Sequence, residues 1–168
     1  MQKAKPIITI SALTIIYLAS LFVDVPGPGY SRDNLWPHFY YMFFHANVFH
    51  LALNCLGAYF LVREIKPLIA AYLISVALSF VLYAKYPTLG FSAPLLVLVG
   101  YYGNLLSRNP FREPRLLMAY SILIAGLFNP KLNGLIHIAA MLCGILLSLL
   151  NNVIARLRYD YRRVGKGK

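Results

Sequence analysis

The sequence predicts an all-α membrane protein that crosses the bilayer six times. Of its 168 residues, 60% are hydrophobic and only 12% are charged, whereas soluble domains carry about 25% charged residues. A soluble fold of this length has too little interior to cover so much apolar surface. The apolar residues also fall into six blocks separated by charge, proline or glycine, and most blocks approach the roughly 20 residues that a spanning helix needs.

The six blocks supply the spans in chain order. The first follows Lys3 and Lys5, but its apolar run is long for a signal peptide and it lacks a cleavage site, so we expect a retained span. The fourth and fifth are the shortest. The chain has no internal repeat, and we expect one domain over residues 1–168 with spans at 7–25, 39–62, 68–84, 93–106, 116–128 and 135–154.

The basic residues predict the orientation of the chain. Six crossings put both termini on one side, and thirteen of the sixteen Lys and Arg residues lie on that side. By the positive-inside rule, both termini are then cytoplasmic. The basic tail at 156–168 is interpreted as a topology anchor, with binding to anionic membrane lipid as the alternative. The net charge of +11 is spread between apolar blocks instead of over one face, which argues against nucleic acid as a partner.

A polar segment rich in Tyr, Trp and Phe joins the first two spans. It reads PGPGYSRDNLWPHFYY and covers residues 26–41. These aromatic side chains favour the headgroup layer, so we expect the segment to lie along the outer interface.

Polar residues inside the spans are the candidates for function, because placing them in a bilayer is costly. Ser92, at the start of the fourth span, lies 16 residues before Arg108, which is about 24 Å of helix rise. His137, in the sixth span, lies 14 residues before Asn151 and 19 before Arg156, or about 21 to 28 Å. In a core of about 30 Å, both side chains lie in the outer half.

Small residues predict that the fourth and sixth spans pack closely. Gly100 lies eight residues after Ser92, and Gly144 lies seven after His137. Small residues on a stripe let membrane helices approach each other. If the two glycines meet, Ser92 and His137 come to one level and can form a hydrogen bond. Packing alone would explain either stripe of small residues, but it would not explain why the two spacings match. The stripes also include Gly103 on the fourth span and Ala140 and Ser148 on the sixth.

A serine and a histidine at this depth have the chemistry of acyl transfer. Histidine is a suitable base because it exchanges protons near neutrality. No acid is placed to reach His137, so we expect a Ser–His dyad instead of a triad. The alternative for Ser92 is a helix cap. The five acids lie at span ends or in loops: Asp24, Asp33, Glu64, Glu113 and Asp160.

The second span supplies hydrogen-bond donors. His50 and Asn54 are four residues apart and share one helical face. Both can donate to a developing oxyanion, and the alternative is that they join helices by hydrogen bonds. His45 lies about 140° from His50 around such a helix, so the pair is poorly placed for a metal. We expect no metal and no cofactor, and we expect buried, unpaired thiols at Cys55 and Cys143.

These residues resemble the motifs of the rhomboid intramembrane serine proteases. HANVFHLALN, residues 45–54, resembles the second-span signature of that family. GFSA, residues 90–93, resembles its Gly-x-Ser-Gly/Ala nucleophile motif. HIAAMLCG, residues 137–144, resembles its His-x-x-Gly-x-x-x-Gly motif, with Ala140 in place of the first glycine. The likeness extends over six spans in the same order and orientation.

The resemblance implies specific roles for these side chains. Ser92 would be the nucleophile and His137 the general base. His50, Asn54 and the backbone N–H of Ser92 would surround the oxyanion, with Gly90 supporting the site. The resemblance further implies a multi-pass protein of the cell membrane, whose substrates are transmembrane proteins cleaved near the outer face.

Three positions depart from the rhomboid pattern. Pro37 follows Trp36 where many relatives have an arginine, Leu96 stands where an aromatic residue often packs on the histidine, and Ala140 replaces a glycine. A catalytically inactive rhomboid-like protein that binds transmembrane clients is therefore the alternative function. A small transporter would require helix breaks or midplane charges in two equivalent halves, and the sequence has neither.

Overall fold

The computed structural model describes residues 4–23, 29–30, 32–83, 88–103 and 133–165, and this part of the chain contains helices and no β-strand. The prediction of an all-α chain is confirmed for these ranges. The predicted fifth span, 116–128, lies outside the described residues. The helices are α1 (Ala4–Ser20), α2 (Pro37–Tyr40), α3 (Val48–Leu61), α4 (Ile65–Ser79), α5 (Ser92–Gly103) and α6 (Gly134–Gly165), with a short 3-10 helix at Tyr41–Phe43.

One helical segment within the described ranges is long and apolar enough to cross a membrane. It is Gly134–Tyr159 of α6, with 26 residues, or about 39 Å of rise. Helix α6 continues beyond it to Gly165, so the predicted basic tail begins as part of this helix. Helices α1, α3, α4 and α5 are apolar but shorter. The six-span arrangement therefore stays a prediction.

The predicted second span is not one continuous helix. The expected span began at Phe39, whereas α3 begins at Val48. Residues Phe44 and Asn47 have extended backbone, and the Asn47 side chain accepts a hydrogen bond from the backbone N–H of His50 at 2.9 Å. An asparagine in this position caps a helix N-terminus. His45 precedes the helix, so the prediction that His45 and His50 diverge around one helix is wrong.

Helix α5 is the central element. Every residue from Ser92 to Gly100 is buried, and the helix packs against α3, α4 and α6. Helix α1 packs on α3, and α4 also contacts α6. A helix that is apolar all round is typical of a protein core or of a membrane span. The fold thus surrounds the helix that begins at Ser92.

The segment between α1 and α3 has a buried and an exposed side. Tyr30 and Tyr41 are buried, with their rings 4.7 Å apart in an edge-to-face contact. The backbone N–H of Tyr30 donates to the carbonyl of Thr88 at 3.1 Å. Trp36 and Phe39 are exposed, which is compatible with the predicted position along an interface.

Several polar side chains lie inside the bundle beside its apolar core, and many large apolar side chains lie outside. Ser75 and Ser79 of α4 are fully buried, and Ser148 of α6 is buried as well. Large aliphatic and aromatic side chains project outward from four helices. They include Ile8 and Ile15 of α1, Phe49 and Leu53 of α3, Ile69 and Leu73 of α4, and Leu142 and Leu146 of α6.

Candidate active site

Ser92 is the first residue of α5, and the turn before it brings it to the site. Gly90 has φ +111°, a conformation that favours glycine. Its N–H donates to the carbonyl of Tyr41 at 3.1 Å. Pro94 lies in the first turn of α5, where its missing N–H leaves no donor unpaired. The serine therefore lies at a helix N-terminus, where backbone N–H groups have no partner within the helix.

Ser92 and His137 are in direct contact. Oγ of Ser92 and Nε2 of His137 form a hydrogen bond of 2.8 Å, and both side chains are at least nine-tenths buried. His137 lies in the first turn of α6, and its backbone N–H bonds the carbonyl of Asn133. The predicted contact between the two residues is confirmed.

The two glycines of the stripes meet, as the sequence predicts. A Cβ on Gly100 would overlap the carbonyl oxygen of Met141 and lie 3.1 Å from the carbonyl carbon of Gly144. A Cβ on Gly144 would overlap the carbonyl oxygen of Val97. The backbones of α5 and α6 are therefore in contact at this crossing, which is possible only where side chains are absent.

His50 and Asn54 of α3 lie against the turn before Ser92. A Cβ on Gly90 would overlap the imidazole of His50 and lie 3.5 Å from Nδ2 of Asn54. Asn54 is 2% exposed, and its Nδ2 donates to the carbonyl of His50 at 3.0 Å. An amide nitrogen carries two protons, so a second donor remains. Ser92 is two residues from Gly90, and the four predicted site residues thus belong to one cluster.

No carboxylate orients His137 within the described part of the chain. Nδ1 of His137 is buried and has no hydrogen-bond partner among the described residues. Asp33 and Glu64 are exposed. Among the described residues, the imidazole is held by packing and by its hydrogen bond to Ser92.

A second buried Ser–His pair lies outside this cluster. Nδ1 of His38 is 2.8 Å from Oγ of Ser79. The Ser79 hydroxyl donates to the carbonyl of Val76 at 2.6 Å, which makes His38 the donor to Ser79 in this arrangement. Oγ of Ser92 has no such second partner in the described ranges. With Nε2 of His137 unprotonated, the Ser92 hydroxyl is the donor in this bond.

Sequence reasoning missed Asn133. This buried asparagine accepts a hydrogen bond from the N–H of Ile136 and donates to the hydroxyl groups of Tyr30 and Thr88. Its position immediately before a helix that starts at Gly134 is the signal for an N-cap.

The three departures from the rhomboid pattern are all in the interior. Pro37 begins α2 and is fully buried, and Leu96 and Ala140 are fully buried in α5 and α6. Each is part of a packed helix contact.

The described residues contain no group of three or more metal-ligating side chains. The rings of His45 and His50 are 5.2 Å apart, edge to face. Cys55 and Cys143 are unpaired, as predicted, but they are half-buried and not fully buried.

In comparisons with known proteins, no protein-family model and no curated protein matches the chain.

Proposed function

We propose that this chain is an intramembrane serine endopeptidase of the rhomboid type, which cleaves the transmembrane segments of other membrane proteins. The observation that carries the proposal is the buried 2.8 Å hydrogen bond between Ser92 and His137. The two hydrogen-bonded residues belong to α5 and α6, whose backbones are in contact. The nearby side chains of His50 and Asn54 are polar, and both residues lie in the second-span motif described above.

The distribution of side chains supports a chain that spans the membrane several times. Four described helices expose large apolar side chains, while serines, histidines and Asn54 are buried. A surface of this kind is stable in lipid, whereas large apolar patches on soluble proteins are rare. Helix α3, with 14 residues, rises about 21 Å. Such a length fits a bilayer that is thinned near the protein.

The reaction uses the Ser92 hydroxyl as the nucleophile. As Oγ attacks the carbonyl carbon of the scissile bond, its proton passes to Nε2 of His137. The tetrahedral intermediate then collapses, and the protonated imidazole gives that proton to the leaving amine. Water, deprotonated by the same nitrogen, hydrolyses the acyl-enzyme and regenerates the serine.

The oxyanion forms where donors converge. The N–H of Ser92 is at the positive end of α5, and the side chains of His50 and Asn54 lie against Gly90, two residues before it. Preorganised donors stabilise the charge that develops in the transition state more than they stabilise the substrate.

The partners of this chain would be transmembrane proteins and membrane lipid. Helix α6 carries exposed Arg156, Arg158 and Arg162, which follow the polar residues Asn151 and Asn152. We place this end at the cytoplasmic headgroups, where basic side chains are favoured.

The test is labelling and cleavage by the purified protein in lipid. A fluorophosphonate probe should modify one serine, and a model transmembrane substrate should be cut near its outer end. If several substrates bind but none is cleaved, and the probe labels no serine of the protein, the chain is the catalytically inactive client-binding protein instead.

Asn54→Ala tests the oxyanion role. We expect kcat to fall by about 10²- to 10³-fold, since one preorganised donor is lost, while KM changes little. The measurement is steady-state cleavage of the model substrate. Leu53→Ala is the matched control, because Leu53 lies next to Asn54 on the exposed side of α3. A rise in KM with unchanged kcat would make Asn54 a substrate-binding residue.

A further inference from the structure

Asn133 makes hydrogen bonds in two directions. Its Oδ1 accepts from the backbone N–H of Ile136 at 3.3 Å, which caps α6. Its Nδ2 donates to the hydroxyl of Tyr30 at 2.8 Å and to Oγ1 of Thr88 at 3.2 Å, and it also lies 3.4 Å from the carbonyl oxygen of Leu82. The side chain is 5% exposed. A simple helix cap needs only the first of these bonds.

The two ends of this bridge, Thr88 and Asn133, are the same number of residues before the two members of the Ser–His pair. Thr88 is four residues before Ser92, and Asn133 is four residues before His137. The bond from Asn133 to Thr88 therefore joins the segment that enters α5 to the segment that enters α6. In chain order it precedes the Ser–His pair on both helices, whereas the crossing at Gly100 and Gly144 follows it.

Tyr30 fixes the direction of these bonds. Its hydroxyl donates to the carbonyl of Leu82 at 2.8 Å, so its oxygen is free to accept from Asn133. Burial raises the pKa of Tyr30 to about 12, and the hydroxyl keeps its proton at all ordinary pH values. The backbone N–H of Tyr30 also donates to the carbonyl of Thr88. Thr88 is thus fixed through both its backbone and its side chain.

We propose that Asn133 is a positioning residue, which through Thr88 and Tyr30 sets the distance between Oγ of Ser92 and Nε2 of His137. The crossing at Gly100 lies about 12 Å along α5 from Ser92, and it holds the two helices together after the Ser–His pair in chain order. The Asn133 bridge joins the segments that precede this pair. This inference rests on the proposed function.

A dyad without a carboxylate depends on such attachment. Nδ1 of His137 has no partner in the described part of the chain, so the helix ends must align the ring. Misplacement of reacting groups by about 1 Å can cost about 10²-fold in rate.

Thr88→Val is the sharpest test, because it keeps the side-chain shape and removes the acceptor. We expect kcat and the rate of fluorophosphonate labelling to fall about tenfold, with KM within about twofold of wild type. Asn133→Ser, which retains a capping oxygen but is too short to bridge, should behave likewise. Thr88→Ser restores the hydroxyl and should restore both rates.

Asn151→Ala is the matched control. Asn151 donates to the Tyr101 hydroxyl at 3.1 Å, so it joins the same two helices at their other end. This variant should label at the wild-type rate even where its melting temperature falls as far as that of Thr88→Val. Equal losses of labelling in both variants would reduce Asn133 to a general contributor to stability and overturn the proposal.

A readout that needs no activity separates this proposal from the proposed function. The ¹⁵N resonance of Nε2 in His137 reports its hydrogen bond to Ser92, and Thr88→Val should shift it toward that of an unbonded nitrogen. An unchanged resonance overturns the positioning role even if the wild-type protein cleaves nothing. Absence of wild-type labelling together with a shifted resonance would contradict the protease and leave the positioning role supported.

Discussion

Ser92→Ala is expected to abolish both fluorophosphonate labelling and substrate cleavage. Removal of a serine nucleophile lowers turnover by several orders of magnitude, about 10⁴-fold or more, because no other group forms the acyl-enzyme. The helix should remain intact, since alanine is a good helix former and Ser92 makes no second side-chain bond in the described ranges. The measurement is the labelled fraction of the protein in lipid, with cleavage of the model substrate in parallel.

The second Ser–His pair provides an internal control. Ser79 is 0% exposed and Ser92 is 9% exposed, and Ser79 is also 2.8 Å from an imidazole nitrogen. Ser79→Ala should nevertheless label and cleave at the wild-type rate, because the Ser79 proton is donated to the carbonyl of Val76 and His38 is the donor to Ser79. Labelling that survives in Ser92→Ala and disappears in Ser79→Ala would show that Ser79 is the nucleophile, and the proposed site would be rejected.

The Ser–His contact could be predicted because helix geometry is regular. Rise per residue relates Ser92 and Gly100 on one helix to His137 and Gly144 on the other, and small residues identify the faces that meet. The same regularity placed Asn54 one turn after His50. Each of these inferences depends on the number of residues between two positions of one helix, and the sequence gives that number directly.

The errors lie where a helix begins or where distant loops meet. Residues Phe39–Phe44 are nearly all aromatic or apolar, so hydropathy extends the second span through them, although Asn47 caps α3 and ends that continuity. The cluster of Tyr30, Thr88 and Asn133 joins three loops. Contacts of this kind depend on the tertiary arrangement, and no periodicity in the sequence encodes them.

Gly100→Ala is expected to separate α5 from α6. The added methyl group would overlap the carbonyl oxygen of Met141 and lie 2.8 Å from the backbone N of Ile145. Backbone atoms cannot turn aside as a flexible side chain can, so the helices must move apart. Overpacking of this kind costs about 1–3 kcal/mol of stability, and displacement of Ser92 from His137 should lower kcat by about 10²-fold.

Gly103→Ala is the matched control on the same helix. A Cβ at Gly103 would meet no atom of the described residues within 4 Å. This variant should retain the wild-type rate, and its melting temperature should stay the same or rise, because alanine favours the helix. Equal activity in Gly100→Ala and Gly103→Ala would mean that the two helices do not touch at the predicted crossing.

The double variant Gly100→Ala/Gly144→Ala distinguishes a shared crossing from two separate sites. Gly144 meets the carbonyl oxygen of Val97 from the opposite helix, so both methyl groups widen the same gap. Once the helices have moved apart to admit one methyl group, much of the space for the other exists already. The loss of unfolding free energy in the double variant should therefore be smaller than the sum of the single losses. The losses in Gly100→Ala/Gly103→Ala should add, because Gly103 has no part in that contact.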